Sequence, residues 1–499
     1  MVVTHPARPA FAVREVSVVA LALGVVMMLM ASRYGPHRDE LYFVSAGRRL
    51  DWGYPDQPSL TPLLARLADI VAPHSLVVLR LPSLFAVCAF VVLSAAFARL
   101  FAGGRSAQVL AAVTVAASVF TVTVGHRLST ATFDTLAWTA ILLVIGHALA
   151  DDRPRLWLLA GAVAGVGLNN KHAVLFLLLG VLVGVAVVQE TRAQLRTPYP
   201  WLAGLLALLL WLPNLVWQAA EGWPVLELSA DIAEEYGGVL GRVEMVGQAL
   251  VMFSPVVAVL WVYGLVRLLR EPRFARVRPI AVAFVVIAAV FLVTGGKGYY
   301  LAGAIPPLIA TGCVLLAERW TGRRLVTAGA VLALSGMVAW PAFVPVLPAS
   351  TYAGSFYPLL DQDQLETIGW PEFHWTIEAV IAEIPAAERD AAVVFTGNYG
   401  EAGALEWYGV SVPVYSGHNG WREWGPPADD SGPVVVVGRP GLEQGFTGCR
   451  VRGEVTNRAG ADNEENGMHV WLCEAPGGSR ARERQKGPRR EAHHTQPTG

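Results

Sequence analysis

The sequence predicts an α-helical, polytopic membrane protein with about eleven transmembrane helices and a small C-terminal extracytoplasmic α/β domain. Three observations carry that reading. Of the 499 residues 54% are hydrophobic and only 15% charged, against about a quarter charged in ordinary soluble domains. The charge deficit is concentrated in long apolar runs, each approaching the roughly 20 residues needed to cross a bilayer. From about residue 348 the composition changes abruptly and charge returns.

The apolar runs fall at about 16–32, 76–98, 107–124, 132–150, 156–170, 172–188, 200–218, 246–269, 279–294, 299–317 and 325–347. The first is read as a retained helix rather than a cleaved signal, because no small-residue cleavage pattern precedes a soluble chain. Loops between the runs alternate in character. "ARLFAGGR", "DDRPR", "QETRAQLR", "RLLREPRFARVRP" and "ERWTGRR" are rich in arginine, as is the N-terminus with Arg8 and Arg14. Basic residues beside spans favour the cytoplasm, so these loops and the N-terminus are placed inside. An odd number of spans then puts the C-terminal third outside, in a plasma membrane. The domain boundaries expected are 1–347 for the transmembrane part, 348–477 for the extracytoplasmic α/β domain and 478–499 for a disordered basic tail. In that domain "QLETIGWPEFHWTIEAVIAEI" reads as a helix, and "AAVVFT", "PVVVVG", "CRVRGEV" and "HVWLC" as short strands.

Net charge of −1 supplies no basic field for nucleic acid, so the expected partner surface is the lipid bilayer. Cys88 and Cys313 sit in apolar runs as small core residues, whereas Cys449 and Cys473 could bridge if their domain lies outside the cytoplasm.

Unusual polar residues collect on the outer side. "RYGPHRDELYFVSAGRRLDWGYPDQPSLTP" follows the first span and carries Asp39, Glu40 and Asp56 among aromatics and prolines that suit a rigid segment. "GHRLSTATFD" brings His126, Arg127 and Asp134; "NNKH" brings Lys171 and His172; "TGGKGYYLAGAIPP" brings Lys297, Tyr299 and Tyr300. Lysine occurs only at 171, 297 and 486 in a chain that otherwise uses arginine. A compact ammonium differs in use from a guanidinium fork, and ionisable groups at membrane depth point to function. The bland alternatives are snorkelling lysines, loop acids paired with Arg38, Arg48 and Arg49, and Asp134 as a helix cap near Thr132. A carboxylate held rigidly can act as general base towards a hydroxyl, paired acids can hold a divalent cation, and fixed cations stabilise a departing phosphate. At a lipid boundary that phosphate belongs on a lipid.

With those residues in view, "HRDELYFVSAGRRLDWGYPDQPSLTPLLARL" resembles the first outer loop of the GT-C glycosyltransferases, of the protein mannosyltransferase and aminoarabinose transferase type (glycosyltransferase family 39-like). "NNKH" and "GGKGYYLAGAIPPLIA" resemble later motifs of that group. "TGNYGEAGALEWYG", "SGHNGWREWGPP" and "NEENGMHVWLC" resemble the C-terminal region of its actinobacterial branch. The resemblance implies inverting transfer of a sugar from a polyprenyl-phosphate donor to a hydroxyl of a glycan, lipid or protein acceptor outside the cytoplasm, with no nucleotide cofactor. It implies Asp39 as base with Glu40 beside it, Asp56 as a ligand of a divalent metal ion, and Lys171, Lys297, Arg127 and Tyr300 at the donor phosphate. His126, Asp134, His418, Asn419 and Trp424 are candidates for acceptor or sugar contact, the last three equally readable as a tryptophan-packed turn. Two departures bear on the metal: "DQPS" has Gln57 and one proline where the aminoarabinose branch has a basic residue and paired prolines, and the long loop "WQAAEGWPVLELSADIAEEYGGVLGR" holds no histidine. A transporter or flippase of lipid-linked sugars is the competing class; it would show polar residues at mid-span and broken helices in matching halves, and the polar residues here crowd one side. A receptor or scaffold would leave the acidic loop without a reason to be rigid.

Overall fold

A computed structural model describes residues 8–427 and 431–474; the expected tail at 478–499 lies outside the described residues. The chain divides into two compact units. One comprises residues 1–31, 57–61 and 80–344; the other comprises 32–56, 62–79 and 345–499.

The first unit is helical. Among the described residues five helices are long and apolar enough to cross a membrane: Val13–Met30, Leu76–Leu100, Thr130–Ala150, Tyr199–Ala220 and Gly322–Phe343. Three bent pairs raise the number to as many as eight. The remaining three apolar runs carry the shorter helices Leu156–Leu168, Val174–Val187 and Arg278–Thr294. The difference from eleven uniform spans has local causes. Ser118 ends one helix and caps the next by accepting the Thr121 N–H at 3.3 Å, breaking Arg105–His126 by 58°. Pro255 and Pro306 each open a new helix at a position where a missing N–H costs nothing.

The helix faces show what solvent they meet. In Val13–Met30 the residues Val16, Ala20, Leu23 and Met27 are buried at helical spacing, while Val18, Leu21, Val25 and Leu29 are exposed. Tyr199–Ala220 likewise exposes Trp201, Leu205, Leu209 and Val216. Apolar surface this continuous belongs against lipid. Between helices the packing depends on small residues, as expected where hydrocarbon gives no hydrophobic drive to association. Leu156–Leu168 lies against Tyr199–Ala220. A Cβ on Gly161 would collide with the Ala203 carbonyl, and one on Gly165 would come within 2.6 Å of the Leu210 Cβ.

The second unit is mixed. Its sheet has the order β2-β1-β3-β5-β4, with β1 Val393–Thr396, β2 Val414–Ser416, β3 Val434–Val437, β4 Arg450–Glu454 and β5 His469–Cys473. Strands β2, β1 and β3 are parallel; β5 runs antiparallel between β3 and β4, with an irregularity at Val451–Gly453. The four valines of β3 are wholly buried, the continuous apolar run of a strand covered on both faces. The helix Trp370–Ala382 packs on β3, β4 and β5, and Tyr399–Tyr408 connects β1 to β2. Strand β2 has no counterpart in the sequence reading because three residues carry no periodicity. Cys449 and Cys473 are joined by a disulfide at a sequence separation of 24, a closure that restrains the unfolded chain by about 3 kcal/mol in the loop-entropy account.

The segment after the first span is helical rather than an open loop, with Arg38–Arg48 and the start of Leu60–Val71, and most of it belongs to this second unit. Tyr34 packs with Tyr352, Leu365, Ile368 and Ala461. The Tyr34 hydroxyl donates to the Leu347 carbonyl at 2.9 Å, Gly35 N–H to the Thr367 carbonyl at 2.8 Å, and the Trp370 indole N–H to the Pro36 carbonyl at 3.0 Å.

Enlarging the small-residue contact tests the packing of the first unit. G161V forces a branched side chain against backbone, and overpacking of this kind costs roughly 1–3 kcal/mol. The expected result is a lower unfolding midpoint in detergent, measured against an exposed control such as G204V, whose site is open.

Candidate functional site

The helix Arg38–Arg48 starts with a reciprocal cap. The His37 side chain accepts the Asp39 N–H at 3.2 Å, and the Glu40 carboxylate accepts the His37 N–H at 2.9 Å. Glu40 is wholly buried, so its carboxylate fixes the helix start. Its neighbour differs: the Asp39 side chain is 42% exposed, and its Oδ1 accepts the Tyr399 hydroxyl at 2.7 Å.

Tyr399 begins the helix Tyr399–Tyr408, itself opened by a capping box of Asn398 and Glu401. This helix approaches Arg38–Arg48 at its glycines. A Cβ on Gly400 would lie 2.6 Å from the Arg38 Cβ, and one on Gly403 2.9 Å from the Leu41 backbone. Glycine at these two positions is therefore what brings Tyr399 to Asp39.

Asp56 is held in the same way by a second phenol. Tyr42 donates to Asp56 Oδ1 at 2.9 Å and accepts the Gly420 N–H at 3.2 Å. Burial and the adjacent carboxylate push the Tyr42 pKa well up, so it stays a donor. Around the two phenols stand the aromatic rings of the C-terminal motifs. Tyr42 and Tyr399 are 5.0 Å apart between centroids, His418 is 5.0 Å from Tyr399, and Trp424 is 6.2 Å from Tyr42. Arg49 lies over Trp424 at 4.6 Å and Trp421 at 4.9 Å, and pairs with Glu406. Asn419 adopts φ +48° at the turn before Gly420. The second unit thus gathers Asp39, Asp56, His418, Asn419 and Trp424 around Tyr42 and Tyr399.

The first unit gathers another set. In "NNKH" three residues fasten the turn. Asn169 donates to the Gly165 and Leu210 carbonyls at 2.8 and 2.9 Å, Asn170 to the Thr130 carbonyl at 2.8 Å while accepting from Thr61 at 2.7 Å, and the His172 ring meets Asn214 at 2.9 Å. Lys171 is presented between them. Its ammonium sits over the Tyr300 ring at 4.3 Å and the Tyr299 ring at 5.1 Å, and it acts electrostatically on buried Asp134. Lys297 lies over the Tyr236 ring at 4.8 Å. Aromatic faces hold a cation without neutralising it, which leaves both ammonium groups able to attract an anion. His126 is buried, with Arg80 3.3 Å from its Nε2; Arg127 is half-buried at the end of the same helix.

Asp39, Glu40 and Asp56 form no three-ligand group with a further His, Cys, Asp or Glu among the described residues. The described surroundings of Asp56 within its own unit do not fit a protein-held metal. Sequence reasoning missed Tyr42 and Tyr399 as partners of the acids. The signal for Tyr399 was present: Asn398 and Glu401 at capping-box spacing mark a helix start directly before it.

The comparisons agree with this architecture. Residues 56–217 match the family model described as dolichyl-phosphate-mannose-protein mannosyltransferase. No curated protein matches the chain in sequence. Among solved structures, ArnT from Cupriavidus metallidurans bound to undecaprenyl phosphate superposes with a TM-score of 0.64 at 15% identity, over 94% of this chain and 98% of that one. The arabinofuranosyltransferase AftD from Mycobacteria gives a TM-score of 0.51 at 15% identity, over 95% of this chain and 41% of that one. The fold is thus that of these solved membrane glycosyltransferases, and the family match lies within its helical part, residues 56–217.

Buried carboxyls near the capping box make the second unit sensitive to pH. Burial lifts the pKa of Glu401 to about 8 against two backbone N–H donors, and that of Glu366 to about 7 against Arg38. The folded state then holds protons that the unfolded chain releases above about 4.5. Stability from these groups is complete below that pH and is lost as the pH rises through 7 and 8. Thermal unfolding in chelator-containing buffer is expected to show a midpoint falling from pH 5 to pH 9, with a shallower fall in E401Q.

Proposed function

We propose that the protein transfers a sugar from a polyprenyl-phosphate donor to an acceptor hydroxyl on the extracytoplasmic side of the plasma membrane, with inversion at the anomeric carbon. The observation that carries this reading is the state of Asp39. It is the half-exposed acid beside a buried structural one, with Oδ1 fixed by Tyr399 and Oδ2 3.8 Å from the His37 ring. In this reading Asp39 removes the acceptor proton as the acceptor oxygen attacks the anomeric carbon, and the bond to the phosphate oxygen breaks in the same displacement. The rings and amide around Tyr42, His418, Asn419 and Trp424 suit a sugar, which stacks on aromatic faces and hydrogen-bonds to amides. Lys171 and Lys297, with Tyr300 and Arg127, suit the phosphate, whose charge increases as it leaves. Inward arginine-rich loops support a cytoplasmic N-terminus and an extracytoplasmic second unit. The bound undecaprenyl phosphate of the ArnT structure supports a lipid-linked donor.

The test is donor consumption by the purified full chain, offered a panel of polyprenyl-phosphate sugars. D39N is expected to lower turnover about 10²–10⁴-fold, the usual range for a general base, while expression and membrane insertion persist. Near-wild-type turnover in D39N would remove Asp39 from the role. K171A is expected to weaken donor binding about 10–100-fold, the equivalent of the roughly 1.5–3 kcal/mol of a hydrogen bond to a charged group. Titration with the polyprenyl phosphate alone checks it.

A further inference from the structure

The strongest unexplained feature of the second unit is a group of acids that the proposed transfer does not use. Glu366, Glu464 and Glu465 come from two separate segments, and each offers a carboxylate oxygen within 4.8 Å of the others. Glu366 and Glu465 are buried, Glu464 half-buried. Three like charges at such separations repel strongly in a poorly solvated site, so the site needs positive charge.

Two arginines supply part of it. Arg38 lies 3.5 Å from Glu366 and 3.7 Å from Glu464, and Arg439 lies 3.0 Å from Glu464. Neither ion pair reaches Glu465. That side chain is 4% exposed, and both its carboxylate oxygens lack a hydrogen-bond partner from another residue among the described residues. An acid buried with nothing to satisfy it is costly. The neighbouring buried acid, Glu401, shows the contrast, receiving three N–H donors from Gly397 and Asn398.

The acids are also held in place by groups other than themselves. In the loop 457–467 Asn457 accepts the Ala461 N–H and donates to the Ala461 carbonyl at 2.8 and 2.7 Å. Asn463 donates to the Ile368 carbonyl at 2.8 Å and accepts the Asn466 N–H at 3.1 Å. These bonds tie the loop to the segment that carries Glu366, so the carboxylates cannot relax apart. A fixed set of buried oxygens with one member unpartnered is the donor set of a hard cation.

We propose that Glu366, Glu464 and Glu465 bind one divalent cation of the Ca²⁺ type, which fastens the loop 457–467 to the segment preceding Trp370. The cation takes the positions on the carboxylates that the arginines leave open. It is a structural site, separate from Asp39 and Asp56.

The experiment uses the full chain in detergent, treated with chelator and then titrated with Ca²⁺, with binding read by calorimetry and the unfolding midpoint read in parallel. Neither readout depends on transferase activity, so failure here and failure of the proposed transfer are distinguishable. The expected result is one saturable Ca²⁺ site, a midpoint that rises on binding, and at least a 10-fold loss of affinity in both E465Q and E464Q. E464Q alters the half-buried rim and keeps the test valid if E465Q does not fold. D56N is expected to bind Ca²⁺ as the wild type does. No saturable binding, affinity unchanged in the two glutamate variants, or binding abolished by D56N would each overturn the assignment; so would a site satisfied by protons alone, seen as a midpoint that follows pH and ignores Ca²⁺.

Discussion

Everything that gives Asp39 a chemical identity depends on one close approach, that of the helix Tyr399–Tyr408 to the helix Arg38–Arg48. Gly400 and Gly403 remove the side chains that would hold the two apart. The capping boxes at both helix starts fix where each begins. With those constraints met, the Tyr399 hydroxyl reaches Asp39, and the aromatic rings that follow in sequence settle around Tyr42. A larger residue at either glycine would separate residues 360 positions apart in the chain.

The two acids next to each other in sequence have been given different tasks by a single turn of helix. Glu40 points inward and closes the cap; Asp39 faces solvent with one oxygen engaged. The same division appears in "NNKH", where both asparagines and the histidine spend their hydrogen bonds on neighbouring helices and Lys171 is set over two aromatic rings. In both motifs most of the conspicuous polar residues are scaffold, and one is presented. The two asparagine amides of this motif are paired with backbone carbonyls, as polar groups held away from water require.

The charge pattern of the second unit follows a similar economy. Its acids at 366, 401, 464 and 465 sit in one buried region, and their differing fates depend on local donors. Glu401 is satisfied by a helix start, Glu366 and Glu464 lie beside arginines, and Glu465 has no hydrogen-bond partner from another residue among the described residues.

Composition and periodicity by themselves determined a membrane-embedded helical protein with a small sheet-containing C-terminal part, because hydropathy is local and lipid demands it. Motif likeness pointed to the glycosyltransferases, and the rarity of lysine singled out Lys171 and Lys297. What only the tertiary structure decided was which residues stand together. The segment after the first span proved to be two helices counted mostly with the C-terminal unit, the helix breaks reduced the number of full-length spans, and Asp39 and Glu40 parted in role. The partnerships of Asp39 with Tyr399, of Asp56 with Tyr42, and of Glu366 with Glu464 and Glu465 join positions far apart in the chain. No periodicity encodes such contacts, since they arise from the packing of whole elements rather than from the pattern within any one of them.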